Sequence, residues 1–568
     1  MSARGRRRRA SARALLAELA SLRLRFGGEA TAAKRRLLAA LARRRLAAAA
    51  DVLRLHDLLV FWRAYPDDAE LLAAVEGQLA RFGRRADLRH CRRALADSGI
   101  AGCDIAYPFF YATAVRLAER FPDRLRVDWP AWEAQGELEE LLHLLLPYSE
   151  SPMVDEESRS PRQWLALLKG RREADGAFLA RRFAALAGDE LVRETLFERL
   201  SPAMVLAGGP ATPSHTRAKA PVARIAFQRR PLAGGRPDLA RFLAEARPRI
   251  RELAPRQGAR YVELARDAMV TRSRDLDAFA WGDARDVRLV EHGEGLALAV
   301  IGQIPVRRLV LESVYGALTL KNGVPIGYVL LSSLFGSTEI AYNVFDAYRD
   351  AEAAAVFARV VATARAVFGA TSFSIDPYQL GGFGNDEGLA SGAWWFYYKL
   401  GFRPRDRDVR RVLRGELAAM RKDPGHRSTR ATLARLSVEH VFLDLGAEPG
   451  IALGALSPGQ VGRRVAERFA ARVGSDRERG LDEASAAAAA RLGVRSFAGW
   501  SSAERLWWRR WSPLVALVSG VERWSAAERR AAVRVVRAKG GRRESEYVRR
   551  FDAHPKLRRA LLRLATPE

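Results

Sequence analysis

The chain has 568 residues, and its 95 Lys and Arg residues exceed its 66 Asp and Glu residues, which gives a formal net charge of +29. This charge indicates either a highly soluble surface or a polyanionic partner such as RNA or DNA. The two cysteines, Cys91 and Cys103, belong to no CxxC motif or Cys/His cluster, which argues against a disulfide framework and a zinc site, and no uncharged apolar run is long enough to span a membrane.

The N-terminal third of the chain is predicted to be helical. Residues 1–45 are predicted to form a basic arm, because Arg6–Arg9 and the later Lys and Arg clusters are opposed only by Glu18 and Glu29. Blocks of like charge are typical of solvated arms and of segments that bind nucleic acid. Residues 46–205 are predicted to form an α-helical domain, since stretches such as DVLRLHDLLVFWRAY have helical apolar spacing and strand-like alternation is scarce.

The middle of the chain has a different pattern. Residues 206–245 are rich in Pro and Gly and lack periodicity, which indicates a linker. Residues 246–412 contain a run of strand signals, and Asn322-Gly323 between two apolar runs predicts a hairpin. The order EIAYNVF, helix, TSFSIDP predicts two parallel strands joined by a crossover helix, hence an α+β domain with a mixed sheet. Residues 413–568 are predicted to be helical, although HVFLDL at 440–445 could return to the sheet.

The segment AWWFYYKLGF carries a family resemblance. Its Ala, Phe-Tyr and Lys-Leu-Gly-Phe match, without a gap, a closing pattern of the GCN5-related N-acetyltransferase (GNAT) family. Together with the order of elements, this segment makes residues 286–405 resemble that family. The resemblance implies a GNAT-like fold for residues 246–412, flanked by helical regions. It also implies acetyl-CoA or another acyl-CoA as the donor and an amine as the acceptor.

The resemblance further implies a phosphate-binding turn after EIAYNVF. A helix N-terminus offers unpaired N–H groups to an anion. The family pattern has Gly where this chain has Glu352, whose carboxylate would either repel a diphosphate or only complement the helix dipole. The implied cofactor-binding residues are Phe345, Arg349, Ala351, Ala353 and Ala354.

The catalytic residues are predicted from the resemblance and from the strand pattern. The resemblance implies that Tyr397 returns a proton to the leaving thiolate, with a role as a core aromatic as the alternative. Glu339 in EIAYNVF is predicted as the general base, with Glu312 as the second choice. Asp376 either acts beside them or caps a turn, and the glycines of 381–385 predict a flexible lid. None of the eight histidines stands at metal-ligand spacing, so no metal is expected.

The sequence leaves three functions open. The first is a GNAT-like acyltransferase that moves an acyl group from a CoA thioester to an amine, which FYYKLGF favours. The second is an aminoacyl-tRNA-dependent transferase of GNAT-like fold, and the third is a non-catalytic nucleic-acid-binding protein with a vestigial GNAT domain. Glu352 and the positive charge favour the last two. We expect a cytoplasmic protein without a membrane span, with a basic surface suited to RNA or DNA.

Overall fold

The computed structural model describes residues 11–232, 235–349, 351–446, 453 and 457–565. Within them the chain forms twelve strands: β1 (Ile105–Tyr107), β2 (Leu125–Val127), β3 (Met204–Leu206), β4 (Arg249–Glu252), β5 (Gly282–Glu291), β6 (Leu296–Gln303), β7 (Ser313–Lys321), β8 (Val324–Leu334), β9 (Ser337–Val344), β10 (Ser372–Ile375), β11 (Arg403–Pro404) and β12 (Val441–Asp444).

The α-helices of the described residues lie before, between and after these strands. The N-terminal run is α1 (Ala12–Ser21), α2 (Gly28–Ala42), α3 (Ala49–Ala64), α4 (Ala69–Phe82), α5 (Ala86–Cys91), α6 (Tyr111–Arg120), α7 (Leu138–Leu145), α8 (Ser151–Glu156), α9 (Pro161–Leu168), α10 (Asp175–Ala184) and α11 (Glu190–Leu200). The remaining helices are α12 (Leu239–Glu245), α13 (Pro255–Val270), α14 (Asp277–Ala280), α15 (Ala353–Phe368), α16 (Pro377–Leu380), α17 (Asp386–Ser391), α18 (Ala393–Lys399), α19 (Arg407–Lys422), α20 (Arg430–Leu436), α21 (Pro458–Val473), α22 (Arg477–Leu492), α23 (Ser502–Leu517), α24 (Ala526–Lys539), α25 (Glu544–Asp552) and α26 (Pro555–Ala565).

Nine strands form the central sheet in the order β11-β12-β10-β9-β8-β7-β6-β5-β4. Every neighbouring pair is antiparallel except β9 and β10, which run parallel. Asn322 and Gly323, with φ of 49° and 79°, form the two-residue turn between β7 and β8, as the hairpin signal predicts. Helix α15 joins the parallel pair and ends at Gly369, whose φ is 79°. The predicted α+β class with a mixed sheet is confirmed.

Helices cover both faces of this sheet. On one face Val329 belongs to the same core as Trp511 of α23, together with α15 and the other C-terminal helices. On the opposite face Leu318 belongs to a core that includes Leu59 of α3 and residues of α1, α2, α4 and α13. Strands buried on both sides are apolar at nearly every position, because each face has its own helical layer to meet. The C-terminal helices thus share a core with the sheet.

Residues 105–206 form a smaller unit with its own core. Strands β1, β3 and β2 make a three-stranded antiparallel sheet in that order, and helices α6–α11 pack around it. The prediction that residues 46–205 are wholly helical is therefore wrong in this segment. Each strand has three residues, which is too short for the alternation that identifies a strand in sequence.

The predicted basic arm is a packed pair of helices over the residues that the structure describes. Residues 1–10 of the arm lie outside them. Leu16 of α1 and Leu38 of α2 are buried in the core under the sheet. Lys34, one of the arm's cations, is also buried and lies 2.9 Å from Asp67. Apolar residues at helical spacing between the cations explain why residues 12–42 fold onto the sheet instead of forming a solvated arm.

The other predicted boundaries need two corrections. Most of the described residues of the predicted linker 206–245 are irregular, but the segment is held at His215 and Thr216, whose carbonyls accept hydrogen bonds from the buried Arg63. It ends in α12. The boundary at residue 412 falls inside α19, and the sheet continues beyond it through β12. The return of HVFLDL to the sheet, which the sequence allowed, is confirmed.

Candidate functional site

The candidate site lies where the parallel strands β9 and β10 part. Their pairing ends at Glu339 opposite Ser374, whereas β9 continues to Val344. Within the described part of the chain, the β10-facing edge of β9 therefore has no strand partner beyond Glu339. Tyr342 packs against Phe357 of α15, so alternation along β9 places Glu339 on the opposite face of the sheet.

Three titratable side chains meet on that opposite face. The Nε2 atom of His440 lies 3.0 Å from Oε2 of Glu339 and 3.5 Å from Oδ2 of Asp376. The register explains the meeting, because Ile375 pairs with Val441 and the next residue on each side is Asp376 or His440. The side chains of Glu339, Asp376 and His440 are 29%, 38% and 16% exposed, so this carboxylate–imidazole cluster is open to solvent.

The cluster is suited to holding and passing a proton. Burial opposes the charged form of His440, but the hydrogen bond and charge of Glu339, with the charges of Asp376 and Glu439, outweigh it and raise the pKa of His440. The raised pKa favours the imidazolium form, which can donate a hydrogen bond to Glu339.

The same three donor atoms could instead hold a divalent cation. They all lie within 4.8 Å of one another. One imidazole and two carboxylates belong to the ligand types of zinc and leave a fourth position open. The expectation of no metal rested on spacing along the chain, which does not detect ligands that meet only in the fold.

Sequence reasoning found part of this cluster. Glu339 was predicted, but His440 was not, because 101 residues separate the two in the chain. The usable signal was HVFLDL: once this strand is set antiparallel beside TSFSIDP, His440 falls opposite Asp376. Asp376 caps a turn as predicted, since its Oδ1 accepts a hydrogen bond from the amide of Tyr378. Its Oδ2 faces His440, so the predicted chemical role stays a prediction. Glu312 is elsewhere, and its carbonyl accepts a hydrogen bond from Lys539.

Tyr397 lies in an aromatic cluster on the α15 side of the sheet. Its ring is 5.4 Å from that of Phe357 and 5.9 Å from that of Phe402. Only 3% of Tyr397 is exposed, and burial raises the pKa of its hydroxyl. Aromatic rings therefore surround Tyr397 on this face, and proton donation by Tyr397 would require an opening through them.

Two predicted cofactor residues, Phe345 and Arg349, line a cavity of about 350 Å³ on the Glu339 face. Arg272 and Arg274 line it too, and the guanidinium of Arg272 lies 3.4 Å from the ring centre of Phe345. Arg349 is half exposed and already pairs with Asp346 at 2.8 Å and with Glu387 of α17. The cavity thus collects three arginines and three aspartates, Asp57, Asp97 and Asp346, beside the end of β9.

The other predicted cofactor residues begin α15. The amides of Ala353 and Ala354 donate no hydrogen bond to the described residues. Ala351 lies just before the helix, and Asp350, between Arg349 and Ala351, lies outside the described residues. The carboxylate of Glu352 lies 3.0 Å from the ammonium of the buried Lys321. Its charge is therefore balanced inside the fold, so its expected repulsion of a diphosphate is reduced.

The segment predicted as a lid is a packed turn. The amide of Gly382 donates a hydrogen bond to the carbonyl of Pro377, and a Cβ atom at this glycine would lie 2.3 Å from the carbonyl oxygen of Ser437. The prediction of a flexible lid at 381–385 is therefore not supported by this packing. The turn instead exposes Phe383, which is 80% exposed, near the exposed Tyr378.

Comparisons of this chain with protein-family models, with curated proteins and with solved structures find no match. Among the residues that the structure describes, no helix is both long and apolar enough to cross a bilayer. The interpretation of the site therefore depends on its geometry and on the resemblance in its sequence.

Proposed function

We propose that this protein transfers an acyl group from a CoA thioester to an amine, on a GNAT-like sheet domain. The hydrogen bond of 3.0 Å between His440 and Glu339, at the point where β9 and β10 part, carries the proposal. A proton acceptor at a break in a sheet can act on a substrate that enters the break.

The topology supports the proposal in two ways. Strands β9 and β10 pair over three residues only, and the GNAT resemblance implies a splayed gap between these two strands. The unpaired edge of β9 also offers backbone N–H and C=O groups to an extended chain. The amide-containing arm of CoA suits such an edge.

The arginine-lined cavity supports a phosphate-bearing donor. Asn343 lines this cavity, and Glu339 stands four residues before it on the same face of β9. Four residues of strand span about 13 Å. A donor with its phosphates beside Arg272 and Arg274 would then bring its thioester toward Glu339.

The chemistry needs one proton acceptor and one proton donor. An amine arrives as an ammonium ion, and Glu339 with His440 removes its proton. The neutral nitrogen then bonds to the acyl carbon and loses a second proton to water, the carbon–sulfur bond breaks, and the same pair returns the first proton to the leaving thiolate. Asp376 stabilises the imidazolium by its charge. Tyr397, the other candidate donor, would return the proton only if the aromatic cluster opened.

The proposal is tested by thiol release from acetyl-CoA with a panel of amines and the full-length chain. We expect Glu339→Gln to lower kcat by about 100-fold or more, since general base catalysis contributes at least that much. Glu312→Gln is the matched control, because it changes the rival carboxylate, and it should keep the wild-type rate.

Two further assays decide between the alternatives. Activity that a chelator abolishes and zinc restores would assign the cluster to a metal and contradict the general-base role. Aminoacyl-tRNA replaces acetyl-CoA in a parallel assay. If only aminoacyl-tRNA serves as donor, the CoA part of the proposal is wrong, and if neither donor reacts, the transferase proposal is wrong.

A further inference from the structure

A long groove crosses the hairpin end of the sheet, away from the carboxylate–imidazole cluster. It consists of two adjacent cavities of about 900 and 810 Å³, whose linings have Arg224, Gly295 and Arg359 in common. The groove runs from β4 past the turn between β5 and β6 to the first turns of α15. It shares no lining residue with the cavity beside Arg272.

The lining of this groove is strongly cationic. It contains seven arginines and three glutamates, and one of these, Glu352, is already paired with Lys321. Arg224, Arg229 and Arg230 are exposed and form no ion pair with the described residues. These three charges are free to meet an external anion.

The wall that bears these arginines is held in place. The amide of Ala226 donates a hydrogen bond to the side-chain oxygen of Asn322, whose side-chain nitrogen donates to the carbonyl of Ala226. The amide of Gln228 donates to the carbonyl of Pro66. The three free guanidinium groups therefore project from a fixed backbone, which lowers the entropic cost of binding.

Aromatic side chains lie among the arginines. Phe227 and Phe242 line the groove and are partly exposed, and the guanidinium of Arg359 lies 5.7 Å from the ring of Phe242. A cationic groove with partly exposed aromatic rings suits single-stranded nucleic acid, whose phosphates meet arginines and whose unpaired bases stack on rings. A base in a duplex is already stacked and could not use these rings.

We propose that this groove binds single-stranded nucleic acid. The free arginines and the partly exposed rings favour this occupant. RNA and DNA strands share this chemistry, so both are tested. The proposal is independent of acyl transfer, because binding is measured without a donor.

The test uses fluorescence anisotropy of labelled RNA and DNA single strands of about 16 nucleotides. Arg224→Glu, Arg229→Glu and Arg230→Glu are combined in one full-length variant. We expect at least a tenfold weaker affinity at low salt, and a slope of log affinity against log salt that is shallower by about two, because three phosphate contacts are lost.

The matched control reverses the same number of charges at the other edge of the sheet. Arg407, Arg410 and Arg414 are exposed residues of α19, and their change to Glu in one variant should leave most of the affinity. Equal loss in both variants would mean that net charge alone drives binding and would overturn the proposal, as would unchanged affinity in the groove variant.

A second pair of measurements tests the single-strand preference. Phe227→Ala should weaken single-strand binding about fivefold or more, since stacking of one base on an aromatic ring contributes that much, and should leave duplex binding unchanged. A duplex that competes as well as the single strand would contradict the role of the rings. Preference for RNA over DNA would then identify contacts to the 2′-hydroxyl.

Discussion

Two charged clusters of this molecule differ in how their charges are balanced. In the sealed cluster, Lys539 lies 2.5 Å from Glu544, Arg308 lies 3.8 Å from the same carboxylate, and all three side chains are fully buried. In the open cluster, Glu339 and Asp376 face the single imidazole of His440 and remain partly exposed. In the sealed cluster one carboxylate has two cations, whereas in the open cluster two carboxylates share one imidazole.

The difference separates a structural role from a chemical one. Arg308 also donates hydrogen bonds to the carbonyls of Lys539 and Gly541, both at 2.6 Å, so the sealed cluster fastens the C-terminal helices to the sheet. A buried charge without its partner is costly, which fixes the sealed cluster in one state. The open cluster has an excess of negative charge and access to water, so it can bind a proton from solvent and release it again.

The largest expected effect concerns the sealed cluster. Lys539→Met leaves Glu544 buried with Arg308 as its remaining cation and should lower the free energy of unfolding by about 3–5 kcal/mol. The double variant Lys539→Met/Glu544→Gln should recover part of this loss, because it removes the buried carboxylate, while Arg308 keeps its hydrogen bonds to the carbonyls of residues 539 and 541. Urea unfolding measures both. A single variant as stable as the wild type would contradict the structural role.

The second prediction concerns the proton of the open cluster. Since the folded pKa of His440 is raised, its contribution to stability is full below the unfolded value of about 6.5 and is lost as pH rises through the folded pKa. NMR of ¹³C-labelled histidine should give a pKa above 6.5. In Glu339→Gln that pKa should fall, because burial then acts with less opposing charge. An unchanged pKa would show that Glu339 does not hold the proton.

The smallest effect is expected at Tyr397. Its hydroxyl is buried among aromatic rings on the face opposite Glu339, so Tyr397→Phe should change kcat less than threefold and stability by less than about 1 kcal/mol. The pH profile of acyl transfer is the decisive measurement. Loss of its alkaline limb in the variant would instead establish Tyr397 as the proton donor implied by the GNAT resemblance.

Sequence reasoning recovered the features that depend on neighbours in the chain. Asn322-Gly323 determined a turn by its positive φ angles, and the order of EIAYNVF, helix and TSFSIDP determined the parallel pair. Contacts between distant segments were not recoverable. The pairing of Glu352 with Lys321 depends on which way β7 faces α15, and no local pattern records that. The apolar residues of α1 and α2 were present in the sequence, but the cations between them suggested a solvated arm.

The two-sided burial of the sheet has a consequence for synthesis of the chain. Its last strand, β12, ends at Asp444, but the helices α23–α26 that cover one face begin at Ser502 and continue to Ala565. Ribosomes add about 5–20 residues per second, so this apolar face waits roughly ten seconds for its cover. During that interval the nascent protein exposes apolar strands that can aggregate. Chaperone binding or premature termination in this interval should therefore determine how much of the protein reaches the native state.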